Sequence, residues 1–243
     1  MIRAVDINKS FGKLQVLSNF NLNLQKGRVV AIIGPNGSGK TTFIKILLGM
    51  VVPDSGEVFF DDKPIAKHHD YRARIGYMPQ IGHYPANLKI RQLFEMMTDL
   101  RKNAITTALD KDLVHAFKLE TIFEKPLGTL SGGTKQKVSA ALAFLFNPDV
   151  LILDEPTAGL DPLSSEILKQ KIQSVYAAGK LILITSHVMS DLDDLATDVL
   201  YLQDGTVQFC KSMEQLREDT GERKLGKIIA QIMAKTNLTY TFL

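Results

Sequence analysis

The fold is decided by the stretch Gly34-Pro35-Asn36-Gly37-Ser38-Gly39-Lys40-Thr41-Thr42. It fits the pattern G-x-x-x-x-G-K-[ST], in which each fixed position has a physical role. The glycines let the backbone curl so that several N–H groups converge on one anion. Lys40 adds a mobile positive charge, and the Thr41 hydroxyl is a hard oxygen ligand suited to Mg²⁺. The stretch therefore predicts a loop that binds phosphate groups beside a magnesium ion.

The residues on either side of this loop have the order that such a site requires. The apolar run from Val29 to Ile33 predicts a buried strand before the loop, and Thr41 to Leu48 predicts a helix after it, ended by Gly49. Bound phosphates would then lie at a helix N-terminus, where unpaired N–H groups favour anions. These flanks favour a nucleoside triphosphate site over a glycine-rich turn in another α/β fold. The loop residues assigned to the nucleotide are Asn36, Gly37, Ser38, Gly39, Lys40, Thr41 and Thr42.

Composition limits the classes of protein to consider. The chain has 243 residues, 45% of them hydrophobic, and a net charge of +3. Its Lys and Arg residues are scattered, so we expect no nucleic-acid partner. The single cysteine, Cys210, excludes an intrachain disulfide. The longest apolar run, Ala140 to Phe146, is far shorter than the roughly 20 residues that cross a bilayer. If the protein acts at a membrane, we expect another chain to supply the spans.

The hydrophobic pattern divides the chain into a core, a lobe and a tail. Residues 1–87 and 150–210 predict a nucleotide-binding core with an antiparallel β layer, and strands are expected at Val150–Leu153, Leu181–Ile184 and Val199–Leu202. Residues 88–149 are helical in pattern and predict a lobe inserted into that core. Helices are also expected near 163–177, near 189–196 and within 212–235, and residues 211–243 form a helical tail. The predicted class is therefore α/β, with a P-loop NTPase core, a mostly parallel sheet, an antiparallel β layer and an inserted helical lobe.

Two further segments place polar side chains where strands end. Asp154 and Glu155 follow the predicted strand Val150–Leu153, and His187 follows Leu181–Ile184 by three residues. Ligands of α/β sheets bind at this edge. Asp154 would hold Mg²⁺ opposite Thr41, Glu155 would act as general base toward water, and His187 would contact the γ-phosphate or the water. Taken singly, an acidic turn and a histidine at a strand end are ordinary structural features.

A second anion-binding feature opens another helix. Ser131, Gly132 and Gly133 precede the helical pattern of residues 134–143. Exposed N–H groups at such a start could hold a phosphate. Alone, this arrangement is more often a serine N-cap followed by permissive glycines. In a chain that already has one phosphate loop, it raises the question of whose phosphate it would bind.

Taken together, these residues resemble the ATP-binding subunit of ATP-binding cassette (ABC) transporters, of the single-cassette, exporter-like type. The resemblance covers about residues 1 to 210 and rests on several motifs in order. They are Gly34–Thr42 for Walker A, Gly76–Gln80 for the Q-loop, Leu130–Gln136 for the signature sequence, Val150–Pro156 for Walker B, Ala158–Asp161 for the D-loop and His187 for the switch histidine.

The resemblance implies that two copies bind head to tail around two ATP molecules. Ser131, Gly132 and Gly133 of one copy would close on the γ-phosphate held by Lys40 of the other. Gln80 would contact Mg²⁺ and relay the nucleotide state to a groove for an integral membrane permease. Phe11 would stack on adenine, and Val16 and Asp161 are also assigned to nucleotide binding. The implied catalytic set is Lys40, Gln80, Glu155 and His187, and the implied metal set is Thr41, Gln80 and Asp154.

Two residues depart from the usual pattern of that family. Thr134 stands where the signature sequence usually has glutamine, which puts the packing of the signature in doubt. Phe11 stands where tyrosine is more common, although stacking requires only the ring.

The sequence is compatible with three functions. The first is a transport ATPase, located in the cytoplasm and peripheral on the cytoplasmic membrane through a permease. The second is a soluble ATPase of the same family that assembles a metallocluster or metalloenzyme. The segment Ile75–Gln80 and the short helical lobe, which resemble single-cassette exporter-type subunits, are also similar to the ATPase of the copper-linked system that matures nitrous oxide reductase. The third is another P-loop protein, a kinase or a small GTPase, but the guanine signature N-K-x-D is absent from the sequence.

Overall fold

The computed structural model describes residues 1–102 and 108–240, with side chains described to residue 234. The parts of the predicted lobe and tail at 103–107 and 241–243 lie outside the described residues. The described strands are β1 (Ile2–Phe11), β2 (Leu14–Leu24), β3 (Arg28–Ile33), β4 (Ser55–Phe60), β5 (Lys63–Pro64), β6 (Ile75–Met78), β7 (Val150–Asp154), β8 (Leu181–Thr185), β9 (Asp198–Gln203) and β10 (Thr206–Ser212).

Helices connect and cover these strands. They are α1 (Lys40–Leu47), α2 (Ile90–Arg101), α3 (Asp112–Ala116), α4 (Gly132–Phe144), α5 (Pro162–Ala177), α6 (Met189–Asp193), α7 (Met213–Thr220) and α8 (Leu225–Tyr240). Short 3₁₀ turns lie at Asp70–Arg74, Leu119–Ile122 and Leu127–Thr129.

The strands form two sheets of different kinds. The larger has the order β10-β9-β3-β8-β7-β6, in which β9, β3, β8, β7 and β6 run parallel and β10 pairs antiparallel with β9. The smaller is antiparallel, with the order β2-β1-β4-β5. The strand order places β3, which leads into the phosphate loop, between two strands from the second half of the chain. The predicted α/β class with a mostly parallel sheet and an antiparallel layer is confirmed.

The apolar runs in the central strands are continuous because both faces of the larger sheet are covered. In β7, Leu151 and Leu153 pack into a core shared with α4, α5 and the helices near the chain's end. Val150 and Ile152 point the other way, into a core shared with α1 and the antiparallel layer. This two-residue alternation holds the edge residues after Leu153 in fixed directions.

Two predicted elements differ from the observed ones, and one observed strand was not predicted. The helix expected near 189–196 ends at Asp193, because the chain must turn so that the backbone N–H of Thr197 can donate to the carbonyl of Val29. The helical stretch within 212–235 is two helices, separated at Gly221, whose φ of 72° only glycine adopts readily. Strand β10 was not predicted. It extends the sheet to Ser212, two residues into the predicted tail.

Candidate functional site

The phosphate loop connects β3 to α1 at the edge where the parallel strands end. Gly34 admits no side chain, because a Cβ atom there would lie 2.1 Å from the carbonyl oxygen of Leu202 on β9. The Nζ atom of Lys40 donates to the carbonyl oxygens of Gly34 at 2.7 Å and Pro35 at 2.9 Å. Burial lowers the pKa of Lys40, and the nearby carboxylates of Glu155 and Asp154 oppose that effect. The lysine therefore lies folded over its own loop, facing two acidic groups.

The neighbouring parallel strands bring Asp154 and Thr185 face to face. Asp154 ends β7, Thr185 ends β8, and the two are register partners. The Thr185 hydroxyl donates to Asp154 Oδ1. Thr185 was not predicted as a site residue. The signal for it was its place one residue beyond the apolar run Leu181–Ile184, at the same edge as Asp154.

Glu155 occupies a strained and buried position. Its φ of 52° is left-handed, a conformation that is uncommon outside glycine and is found at functional sites. Its carboxylate accepts a hydrogen bond from the backbone N–H of His187 at 3.2 Å, and its other oxygen lies 3.7 Å from His187 Nε2. Only 8% of the residue is exposed, and this burial raises the pKa of its carboxyl group. Such a group is a stronger base than an exposed glutamate, and it faces a histidine.

These groups line one cleft with a volume of about 240 Å³. Among the predicted site residues, the cleft contains Val16, Asn36, Gly37, Ser38, Gly39, Lys40, Thr41, Thr42, Gln80, Asp154, Glu155 and His187, and Thr185 joins them. The remaining predicted residues are not among those that line it: Phe11, Ser131, Gly132, Gly133 and Asp161. Phe11 lies at the end of β1 and is 51% exposed.

Of the predicted residues outside the cleft, Ser131, Gly132 and Gly133 lie at the start of α4, and Asp161 lies at the start of α5. Ser131 caps α4, and its Oγ atom accepts from the Thr134 backbone N–H at 3.3 Å and lies 2.9 Å from the Thr134 hydroxyl. Asp161 caps α5, and its carboxylate contacts Lys137 Nζ at 2.8 Å, so the pKa of Asp161 is held well below its usual range. The signature stretch of one copy is therefore a separate surface from that copy's own phosphate cleft.

One buried contact connects the two groups of residues. Gln136, on α4, is 6% exposed, and its Nε2 atom donates to the carbonyl oxygen of Glu155 at 3.2 Å. Sequence reasoning placed Gln136 at the end of the signature stretch without giving it this contact. The helical lobe thus bonds directly to the backbone of the residue predicted to be the base.

The cleft has the donor set that a magnesium nucleotide requires. The Oγ atom of Ser38 is buried and has no hydrogen-bond partner among the described residues. Beside it lie the Thr41 hydroxyl and the Asp154 carboxylate. No group of three or more His, Cys, Asp or Glu side chains within the described ranges could hold a metal alone. Magnesium is commonly held by one or two protein ligands together with substrate phosphates, which fits this arrangement.

A parallel sheet with a phosphate loop after its central strand, an acidic edge and an inserted lobe that carries Ser131–Gly133 defines an ATP-binding cassette. The chain belongs to the ABC transporter family, whose domain matches residues 17–158. It is an ATP-binding subunit of an ABC transporter, and the family hydrolyses ATP. No helix in the described part of the chain is long and apolar enough to span a bilayer.

Two relatives are named as ATP-binding proteins, one of an export system and one of a transport system. The Nod factor export ATP-binding protein I of Burkholderia lata is 34% identical over 204 residues, which cover 82% of this chain and 67% of that protein. The lantibiotic transport ATP-binding protein SrtF of Streptococcus pyogenes is 34% identical over 207 residues, covering 85% of this chain and 89% of that protein.

Solved structures of cassettes share the fold over most of their length. The ATP-binding subunit of an ABC transporter aligns with a TM-score of 0.86 at 26% identity, covering 96% of this chain and 99% of that one. A bacterial ABC transporter cassette solved as a dimer aligns with a TM-score of 0.76 at 26% identity, covering 87% and 98%. The post-hydrolysis dimer of that cassette, bound to ADP and Pi, aligns with a TM-score of 0.75 at 25% identity. The alignment covers 87% of this chain and 98% of that one.

Proposed function

We propose that two copies of this subunit bind two ATP molecules between them and that hydrolysis drives a membrane permease of the export type. The observation that carries this proposal is the separation of one copy's cleft, with Lys40 and Glu155, from its own signature surface at Ser131–Gly133. A site that needs both groups is completed by a second copy. A similar cassette that was solved as a dimer supports an assembly of two copies.

Each residue of the cleft has a role that its position allows. The loop N–H groups and Lys40 would bind the phosphates, with Lys40 giving up its bonds to the Gly34 and Pro35 carbonyls. Glu155 would accept a proton from the attacking water, because burial makes it a stronger base than an exposed glutamate. His187, bonded to Glu155 through its backbone, would hold the γ-phosphate or the water. Phe11 would stack on adenine, and Asp161 would act at the interface between copies.

The chain's oxygen donors suit a magnesium ion. Thr41, Asp154 and Gln80 would hold it, and the bound ion would neutralise charge that develops on the phosphates. The bond from Thr185 leaves one oxygen of Asp154 engaged and the other available for this purpose.

A groove near Gln80 suits a segment of the permease. It has a volume of about 340 Å³ and lies between the end of α1, the residues before Gln80 and the lobe. Its lining includes Met50, Tyr77, Pro79, Met97 and Phe146. Met50 is 65% exposed, as expected of an apolar side chain that a partner covers. We propose that the subunit is attached through this groove to a permease at the cytoplasmic face of a membrane.

The substitution Glu155→Gln tests the proposal. Removing the base should lower kcat by at least a hundredfold while ATP still binds. The two bound nucleotides should then hold the copies together, since both are cleaved very slowly. Size-exclusion chromatography with light scattering, with and without Mg-ATP, measures the dimer.

The wild-type chain under the same conditions is the control, and it should return to monomer as ATP is consumed. A Glu155→Gln variant that binds ATP but stays monomeric at saturating Mg-ATP contradicts the two-copy arrangement. A variant that keeps normal turnover contradicts the role of Glu155.

A further inference from the structure

Two loops at the edge of the sheet carry the proposed base and the histidine beside it. The first joins β7 to α5 and contains Glu155 and Thr157. The second joins β8 to α6 and contains His187. Their relative position sets the distance between the Glu155 carboxylate and the His187 side chain, which is 3.7 Å from Nε2 to Oε1. Whatever fixes the two loops to each other also fixes this pair.

One carboxylate bridges these loops away from the cleft. Asp191 lies in the first helical turns of α6, four residues after His187. Its Oδ2 atom accepts from the Thr157 hydroxyl at 2.7 Å, and its Oδ1 atom contacts Lys169 Nζ, on α5, at 2.5 Å. The side chains of Asp191 and Lys169 are each 19% exposed. Both oxygens of one largely buried carboxylate are thus engaged, and each partner belongs to the segment that follows Glu155.

We propose that Asp191 is a positioning residue for ATP hydrolysis, which holds the His187 loop against the Glu155 loop through Thr157 and Lys169. Asp191 is not among the residues that line the cleft, so it acts through the loops and not on the nucleotide. The inference rests on the proposed roles of Glu155 and His187. It adds a connection outside the cleft to the bonds that Glu155 makes with Thr185 and with the His187 backbone N–H.

The geometry explains why this bridge would affect rate more than binding. Within the described part of the chain, the phosphate loop and α1 make no hydrogen bond or ion pair to Asp191, Thr157 or Lys169, so nucleotide affinity depends on other atoms. Glu155 and His187, in contrast, sit two and four residues from the bridged positions. A displacement of about 1 Å between reacting groups can cost on the order of a hundredfold in rate.

The test replaces the Thr157 hydroxyl by a methyl group of similar shape. We expect Thr157→Val to lower kcat by about tenfold or more while KM for ATP changes by less than about twofold. Thr157→Ser restores the hydroxyl and should restore kcat. A variant that lowers kcat and raises KM alike, or a serine that fails to restore turnover, contradicts the inference.

A matched pair on α5 separates positioning from general stability. Lys169 contacts Asp191, whereas Lys171 contacts Asp110 and Asp112 at 2.6 Å and ties the lobe to the same helix. Lys169→Met should lower kcat, and Lys171→Met should leave it near the wild-type value. Equal losses contradict the inference. If Thr157→Val does not fold, as judged by thermal unfolding, this pair carries the same test from the other side of the carboxylate.

A double-substitution cycle distinguishes this inference from the proposed function. In a Glu155→Gln background, single-turnover hydrolysis should no longer respond to Thr157→Val, because the group it positions is gone. If Thr157→Val lowers the rate by the same factor in the Glu155→Gln background as in the wild type, positioning through Glu155 is contradicted. Normal hydrolysis by Glu155→Gln alone would overturn the proposed function itself. If Glu155→Gln loses hydrolysis but Thr157→Val alone leaves the rate of hydrolysis unchanged, only the role proposed for Asp191 is overturned.

Discussion

At the scale of single residues, Glu155 combines three features that rarely occur together. It has a left-handed backbone conformation and a largely buried carboxylate, and its backbone is hydrogen-bonded to both β8 and α4. Its N–H donates to the carbonyl of Thr185, and its carbonyl accepts from Gln136. Strain of this kind persists only where the surroundings hold it in place.

The raised pKa of Glu155 predicts how turnover depends on pH. A general base must be ionised, and burial raises this pKa above the roughly 4.3 of an exposed glutamate. As pH falls, Glu155 should therefore take up its proton earlier, and kcat should fall at a pH above that ordinary value. Measuring kcat at saturating Mg-ATP from about pH 9 down to the ordinary glutamate value checks this prediction. ATP affinity measured in parallel is the control, and a kcat that falls only at or below that ordinary value would contradict the prediction.

Much of the site was predictable at this scale because short patterns encode it. Two of the site residues, Lys40 and Thr41, begin a helix, and two, Asp154 and Glu155, follow an apolar strand. The structure brings all four into one cleft. Asp191 and Gln136 were not predicted to matter in this way. Their partners lie far away in sequence, and no local pattern reports which strand ends become neighbours.

At the scale of elements, α4 begins against the loop that leads into α5. A Cβ atom at Gly133 would lie 2.6 Å from the carbonyl oxygen of Gly159, whereas a Cβ atom at Gly132 would meet nothing within 4 Å. The two adjacent glycines therefore have different reasons to be glycine. At Gly133 the reason is close packing within one copy. At Gly132 nothing in the described part of one copy requires it.

This difference predicts opposite effects of two matched substitutions. Gly133→Ala should destabilise the isolated chain by about 1–3 kcal/mol, because the methyl group must displace backbone. Gly132→Ala should be neutral or stabilise the chain by up to about 1 kcal/mol, since alanine restricts the unfolded chain. Urea unfolding without nucleotide measures both. Equal losses would contradict the packing argument.

Element types were predictable where periodicity was strong, and their ends were less so. The strand β7 and the helix α5 have long apolar patterns, and both were predicted within a residue or two. Strand β10 was missed because it is an edge strand that pairs on one side only and has no fully buried residue, so no apolar run marks it in the sequence. Helix α6 was predicted too long, since its end depends on the contact of Thr197 with β3.

At the scale of the whole molecule, Arg74 joins the antiparallel layer to the parallel core. Its guanidinium contacts Asp61, after β4, at 2.7 Å and Asp149, before β7, at 2.6 Å. It also lies 4.8 Å from the centre of the Phe60 ring. The side chain is 40% exposed, so solvent screens both ion pairs.

Replacing this arginine should weaken the connection between the two layers modestly. We expect Arg74→Met to lower the free energy of unfolding by about 1 kcal/mol, and by less as salt is added. Arg91→Met is the matched control, because Arg91 pairs with Glu124 inside the lobe and joins no layers. Chemical unfolding at low and high salt measures both variants. A loss that does not depend on salt would show that packing on Phe60, and not charge, supplies the stability.

The position of β3 in the sheet affects how the chain folds during synthesis. This strand, which ends at Ile33, pairs on one side with β8 (Leu181–Thr185) and on the other with β9 (Asp198–Gln203), and the ribosome adds both of them much later. The antiparallel layer pairs mostly near neighbours in sequence, so it can form while the rest is being made. Contacts between distant residues form slowly, because a long loop must close first. Gly34, near the start of the chain, therefore reaches its place against Leu202 only after the last parallel strand has emerged, and a nascent chain stopped before β9 should not yet retain nucleotide.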